Sequence, residues 1–259
     1  MKQLLETPDV IINPYIFAAA AALPTGVIVE YLFNSGTTTT PDTSGNGYDL
    51  DMTLFGNADV SNGILELDGT GDYATTTLST DIGNLSFTDD AGNDDPFSIS
   101  CWVRSSVAVS AQNLVVKGDA ANVTTKEYQF QFLGGGNAGK LALTLYDDND
   151  KADSIYAIGT TAYTINEWCH CVVTYDGGNS QTGINIYRNG SLDTATRGST
   201  GTYGGMGSTT NPLQLGALKA SSSYDVFLTG DMEDVRIYDK ELTSGEVTTL
   251  WDDRVDLQP

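Results

Sequence analysis

Short runs in which apolar and polar residues alternate one for one recur along this chain, and that period limits what it can fold into. "FSISCWVR" puts Phe97, Ile99, Cys101 and Val103 on one side. "YQFQF" alternates Tyr128, Phe130 and Phe132 with two glutamines, and "LALTL" alternates Leu141, Leu143 and Leu145 with Ala142 and Thr144. Successive side chains of a strand point to opposite faces, so period two describes strands with one face buried. Clusters of Gly, Asn, Asp and Ser separate the runs. Asn189-Gly190, inside "GINIYRNGSLD", is a strong two-residue hairpin signal. Helical spacing is absent until "LTSGEVTTLW", where Thr243 as N-cap and Glu246 three residues on predict a capping box and one short helix. The pattern predicts an all-β antiparallel sandwich or barrel. The 259 residues suit one large domain, and an apolar content of 40% is enough for a true core. No low-complexity linker or exact internal repeat divides the chain.

Charge narrows the function. Twelve Lys and Arg face 34 Asp and Glu, a net charge of −22. Phosphate backbones would repel such a chain, which excludes nucleic acid as a partner, and it fits an anionic membrane surface poorly. Hard cations such as Ca²⁺ suit it. No stretch approaches the roughly 20 apolar residues of a membrane-spanning helix. Cys169 and Cys171 share a strand face and Cys101 is the third thiol, so all three read as small buried hydrophobes. His170 points to the opposite side from both neighbouring thiols, which argues against a metal site in "CHC". The first residues, "MKQLLETPDVIINPYIFAAAAALPTG", hold an apolar run, Ile16 to Leu23, but Glu6, Pro8, Asp9, Asn13 and Pro14 precede it. That is not the form of a secretory signal. Three prolines and little periodicity also predict a segment that does not order itself. Residues 1–24 therefore read as an anchoring arm held by a neighbouring surface, 25–251 as the domain and 252–259 as a short tail.

The pieces then carry a resemblance, in order: "VIVEYLFN", "DTSGNGYDL", "LELDGTGDYATT", "FSISCWVR", "WCHCVVTYDG", "INIYRNGSL" and "LTGDMEDVRIYDKELTSGEVTTLW". From Thr25 to Trp251 the chain resembles a laminin-G-like jelly roll of the concanavalin A-like lectin/glucanase superfamily. The resemblance implies a two-sheet antiparallel jelly-roll sandwich, with one short C-terminal helix and the extended N-terminal arm outside it. It also implies that His170 is a structural residue. In the family, the loop after the first strand and the start of the last strand often hold Ca²⁺ together. Here that implies Asp42, Asn46 and Gly47 from "PDTSGNG" with Glu233 from "DMED". Glu233 stands where the family usually has Asp.

The resemblance also bears on catalysis. Superfamily glucanases use a run of three spaced carboxylates on one strand, two of which flank the scissile bond. Glu66 and Asp68 are followed by Thr70 or Gly71, and Asp231 and Glu233 by Val235. Neither set is complete, so the expectation is a protein that is not an enzyme. Tyr156, Tyr163, Tyr203 and Tyr224 lie in or beside Gly/Ser/Thr-rich segments and are the candidates for stacking on sugar rings. Together with the arm, this suggests a bacteriophage virion-surface protein (decoration, fibre or spike) docked on a capsid or tail and able to contact glycans. The alternative is an extracellular adhesin or carbohydrate-binding module.

Overall fold

A computed structural model describes residues 22–259 apart from 78, 90–91, 108–109, 120–124, 148–152 and 194–195. The expected anchoring arm, except for Ala22, Leu23 and Pro24, lies outside the described residues. The early strands are β1 (Val27–Tyr31), β2 (Thr39–Thr40), β3 (Met52–Phe55), β4 (Asp59–Ser61), β5 (Ile64–Asp68) and β6 (Tyr73–Thr76). Next come β7 (Phe97–Ser105), β8 (Gln112–Lys117), β9 (Tyr128–Phe132), β10 (Lys140–Tyr146), β11 (Ser154–Ala162), β12 (Cys169–Tyr175) and β13 (Ile184–Arg188). The last are β14 (Ser191–Leu192), β15 (Thr196–Thr200), β16 (Leu213–Leu215), β17 (Leu218–Ala220), β18 (Ser223–Asp225) and β19 (Thr229–Tyr238), followed by α1 (Ser244–Asp253).

Two antiparallel sheets make a sandwich. One runs β14-β13-β12-β7-β19-β5-β4, with β1 also on β19. The other runs β15-β11-β10-β9-β8-β16-β6-β3-β2. The hairpin β17-β18 stands apart from both. The alternating residues of β7, β9 and β10 face inward as their period predicts and join one core cluster. Burying each large apolar side chain is worth about 1.5–3 kcal/mol. Cys101, Cys169 and Cys171 are buried free thiols of that core, with Cys101 opposite Cys171.

The outer face of β7 is buried as well, because α1 lies on that sheet. Val247 and Leu250 of the helix pack with Val172, Tyr187, Tyr238 and Leu242. Trp251 stacks on Trp102 with ring centroids 5.1 Å apart. The capping box is formed: Glu246 N donates to Thr243 Oγ1, and Thr243 N donates to Glu246 Oε2 at 2.9 Å. Under the helix the hairpin turn has Asn189 and Gly190 both at positive φ. A Cβ on Gly190 would lie 2.8 Å from Trp251 Cγ. Glycine there serves the turn and the close approach of the indole.

One core position is ionic. Lys117 and Glu127 are both fully buried and paired at 2.5 Å. Lys117 Nζ also donates to Ser86 Oγ and to Thr209 O, each at 2.8 Å, and Thr209 N donates to Glu127 Oε1 at 2.8 Å. Burial pulls the lysine pKa down and pushes the glutamate up, while each charge opposes the other's shift.

β19 positions the acidic stretch. Met232 and Val235 are both core residues three apart, a spacing that period two cannot supply. A bulge absorbs the extra residue: the register against β7 shifts between Glu233 and Arg236, and Asp234 takes φ +50. Aspartate tolerates that left-handed conformation better than most residues. The bulge sits where the other edge of β19 changes partner, from β5 at Met232 to β1 at Val235.

Candidate functional site

The acids of the last strand are held by arginines. Arg236 Nε donates to Glu30 Oε1 at 3.0 Å, and its Nη2 lies 3.1 Å from Asp234 Oδ1. Arg254, just past α1, pairs with Glu233 at 2.5 Å and with Asp256 at 3.0 Å. Glu233, Asp234, Arg236 and Arg254 line a recess of about 310 Å³ with Asn34, Asn62 and Asp253. Burial pushes the Glu233 carboxyl up against the pull of Arg254. The first loop reaches the last strand through the same network. Asp42 Oδ1 accepts from Glu30 N and Ser44 N, and its Oδ2 accepts from Ser44 Oγ. Asn46 Oδ1 accepts from Tyr48 N, and its Nδ2 donates to Ile28 O. Gly47 is at φ +88 in the same turn.

As arranged, Asp42, Asn46, Gly47 and Glu233 do not fit a Ca²⁺ ion. Ca²⁺ needs six to eight oxygens converging on one point. Here Glu233 is turned to Arg254, while Asp42 and Asn46 hydrogen-bond within their own loop and to Ile28 and Glu30. Among the described residues no group of three or more His, Cys, Asp or Glu is placed to hold a metal. The loop and strand expected to meet across an ion are joined instead by the Glu30–Arg236 pair.

Burial raises the Asp234 pKa from the ordinary carboxylate range to about 6 despite Arg236. A carboxyl with a raised folded-state pKa contributes stability that is complete below its unfolded value and is lost as pH rises through 6. Lowering the pH from 7.5 to 5.5 should therefore raise Tm. Asp234→Asn, which keeps the left-handed preference, should flatten that slope in melts followed by circular dichroism. An identical slope in the variant would remove Asp234 as its source.

A second acidic group lies at the rim, where the chain crosses between the sheets. Asp59 of β4, Glu66 of β5, Asp231 of β19 and Arg104 of β7 stand opposite one another in sequence across four strands. With Asn57, Asp68 and Asp72 the three acids line a shallow cleft of about 230 Å³. Arg104 Nη2 is 2.7 Å from Asp231 Oδ2, and its guanidinium lies 4.9 Å from the Trp168 ring centre. Val235, where the glucanase spacing calls for a third carboxylate, is buried in the core. His170, 1% exposed, is bonded to Ser100 and stacked on Trp102, and burial pushes its pKa down to about 3. A neutral, enclosed imidazole of this kind is a structural group.

The structure does not bring the four tyrosines together. Tyr163 is a core side chain against Phe132, and its hydroxyl bonds to Val107 O and Ser105 Oγ while accepting from Gln112 Nε2. The Tyr203 hydroxyl donates at 2.6 Å to Asp94, a buried carboxylate that also accepts from Tyr175 OH and Met206 N. Tyr163 is buried and Tyr203 partly buried, because acceptors inside the fold take their hydroxyls. Tyr156 is half-buried on β11 over Gly198 of β15, where a Cβ would lie 2.5 Å from its hydroxyl.

Tyr224 belongs to a ladder of rings. It stacks on Tyr73 at 3.8 Å and 19°, and Tyr73 stacks on Phe55 at 4.8 Å and 6°. Phe55 and Tyr73 face each other across β3 and β6, and Phe55 is 40% exposed. The sequence reading missed both. The signal was an aromatic in the outward phase of each strand: Met52 and Leu54 of β3 face the core side, so Phe55 does not.

A laminin-G family model of the concanavalin A-like lectin/glucanase superfamily matches residues 68–248, more than half of the chain. Among solved structures the chain is similar to the receptor binding domain of botulinum neurotoxin type G, with 20% identity over 89% of this chain and a TM-score of 0.57. It is also similar to the binding domain of serotype D (15%, 88%, TM-score 0.61) and to that of botulinum neurotoxin DC in complex with rat synaptotagmin II (17%, 88%, TM-score 0.61). The chain spans about half the length of these structures, 51–52%. No curated protein matches it. Two antiparallel sheets, a capped C-terminal helix and the family match agree: the chain belongs to the concanavalin A-like lectin/glucanase superfamily.

Proposed function

We propose that this protein is a non-enzymatic surface protein that contacts glycans with the Phe55–Tyr73–Tyr224 rim. In this reading residues 1–24 dock it on a larger assembly, as a decoration, fibre or spike protein of a bacteriophage is docked on a capsid or tail. The observation that carries the binding role is the ring ladder, which ends in Phe55, 40% exposed, a ring of the type that stacks on the apolar face of a pyranose. Solved proteins of the same fold named as receptor-binding domains support it. The incomplete carboxylate runs at Glu66 and Asp231 support a role without hydrolysis. The arm's prolines and its apolar run up to Leu23 support the docking role.

Two measurements test the reading. On a glycan array the protein should bind, and Phe55→Ala should weaken that binding by at least about tenfold, since an aromatic contact is worth about 1 kcal/mol or more beyond its buried area. Deletion of residues 1–23 should leave a folded domain that keeps its glycan binding and no longer joins its assembly. Full occupancy of the truncated protein would overturn the docking role and favour a secreted adhesin or carbohydrate-binding module. Reducing-end release from a bound glycan, abolished by Glu66→Gln, would overturn the non-enzymatic assignment.

A further inference from the structure

The recess of about 310 Å³ opens where Arg254, at the end of α1, meets the bulge of β19. Two turns complete its wall. Leu32 and Asn34 follow β1, with Phe33 between them at φ +51 and buried in the core. Asn62 and Gly63 form the β4–β5 turn, both at positive φ. A Cβ on Gly63 would lie 3.3 Å from Glu233 Oε1 and 3.7 Å from Asn34 Oδ1, so these segments converge on one small space. The ion pairs hold the wall in place without using up its polar groups. Arg254 bonds through Nε and Nη2, which leaves Nη1, and among the described residues Glu233 accepts through Oε1 alone. The side chains of Asn34 and Asn62 make no hydrogen bond among the described residues. Asp234 is 3% exposed, yet its Oδ1 accepts no hydrogen bond: Arg236 Nη2 lies 3.1 Å away, out of alignment for one. A buried acceptor without a donor is costly, and in this wall a ligand can supply the donor.

The charges of the wall select against an ionic ligand. An anion would meet Glu233, Asp234 and Asp253, and a cation would lie against Arg236 and Arg254. A neutral molecule with hydroxyls on several sides can donate to the carboxylates and accept from the guanidinium and the amides. The volume is at the small end of ligand pockets, about 300–1,000 Å³, which suits one sugar ring. We infer that this recess is a second glycan contact and takes a single neutral pyranose. Its hydroxyls donate to Glu233 Oε2 and Asp234 Oδ1 and accept from Arg254 Nη1 and the amides of Asn34 and Asn62. The inference rests on the glycan-contacting reading for its class of ligand. Phe55 and Tyr73, however, belong to the other sheet, so either contact can fail alone.

The test titrates the full ¹⁵N-labelled chain at pH 7.5 with the methyl pyranosides of glucose, galactose and mannose. At least one should shift the side-chain amide signals of Asn34 and Asn62, and the shifts should saturate. Asn62→Gly keeps the left-handed turn and removes the amide. Combined with Asn34→Ala it should weaken that sugar about tenfold, the scale of two lost hydrogen bonds. Both asparagines are exposed, so the double variant should melt as the wild type does. The 6-carboxylate and 2-amino counterparts of the same sugar should bind more weakly than the neutral form. Tighter binding of either would overturn the choice of a neutral ligand. Sugar binding that survives the double variant and is lost in Phe55→Ala would keep the glycan reading and overturn this contact. No saturable shift with any of the three sugars would overturn the inference, whatever a glycan array shows of Phe55.

Discussion

Lys117→Met should destabilise the domain by about 3–5 kcal/mol, the cost of leaving one member of a buried ion pair uncompensated. Glu127 would then sit fully buried without its cation, while Thr209 N still points at it. The double variant Lys117→Met/Glu127→Gln should recover more than half of that loss. The amide oxygen of Gln can still accept from Thr209, and no charge remains to be desolvated. The sign of the pH response follows from burial. The pKa of Glu127 is already raised, and removing the lysine raises it further. Its contribution is complete below the unfolded carboxylate value and is lost as pH rises through the folded one, so the single variant should gain stability on acidification while the double should not. Urea unfolding at pH 5 and pH 7.5 reads both. A single variant as stable as the wild type would mean that the pair contributes nothing net.

Arg236→Met should cost about 3 kcal/mol, because Asp234 and Glu30 both lose their cation and Asp234 is 3% exposed. In the same experiment a chelator should leave the wild-type Tm unchanged, since Glu233 is held by Arg254 and Asp42 by hydrogen bonds from Glu30 N and Ser44. The contrast is large enough to read. A resident Ca²⁺ at a hundredfold excess over its Kd would contribute about 2.7 kcal/mol. Its removal would lower the Tm of a domain this size by roughly 5–10 °C. A drop of that size, restored by Ca²⁺ but not Mg²⁺ and absent in Glu233→Gln, would return the ion to the loop–strand junction.

Much of the fold was legible in the chain because its cues are local. Alternation at Phe97–Val103 and Leu141–Leu145 needs only the pleat of a strand and one buried face. The Thr243/Glu246 box and the Asn189-Gly190 turn are written within four residues each. The bulge in β19 was not written locally: only the packing shows that Met232 and Val235, three apart, both face the core.

The site was a matter of tertiary structure. Whether a carboxylate meets a cation depends on partners far along the chain: Arg236 is 206 residues from Glu30, and Arg254 reaches Glu233 only after a helix turns back over the sheet. The tyrosines show the same division. Sequence context put Tyr163, Tyr203 and Tyr224 in similar polar surroundings, but Gln112 and Asp94, distant in sequence, draw two of those hydroxyls inside. Tyr224 instead meets Tyr73, 151 positions earlier, because the β17-β18 hairpin folds onto the rim. Backbone preference and hydrophobic period act over a few residues, so the sequence by itself determined the strands, the helix and the sandwich. Hydrogen bonds, ion pairs and ring contacts act between neighbours in space, so only the folded chain decided which charges cancel, which rings face water, and where a ligand can land.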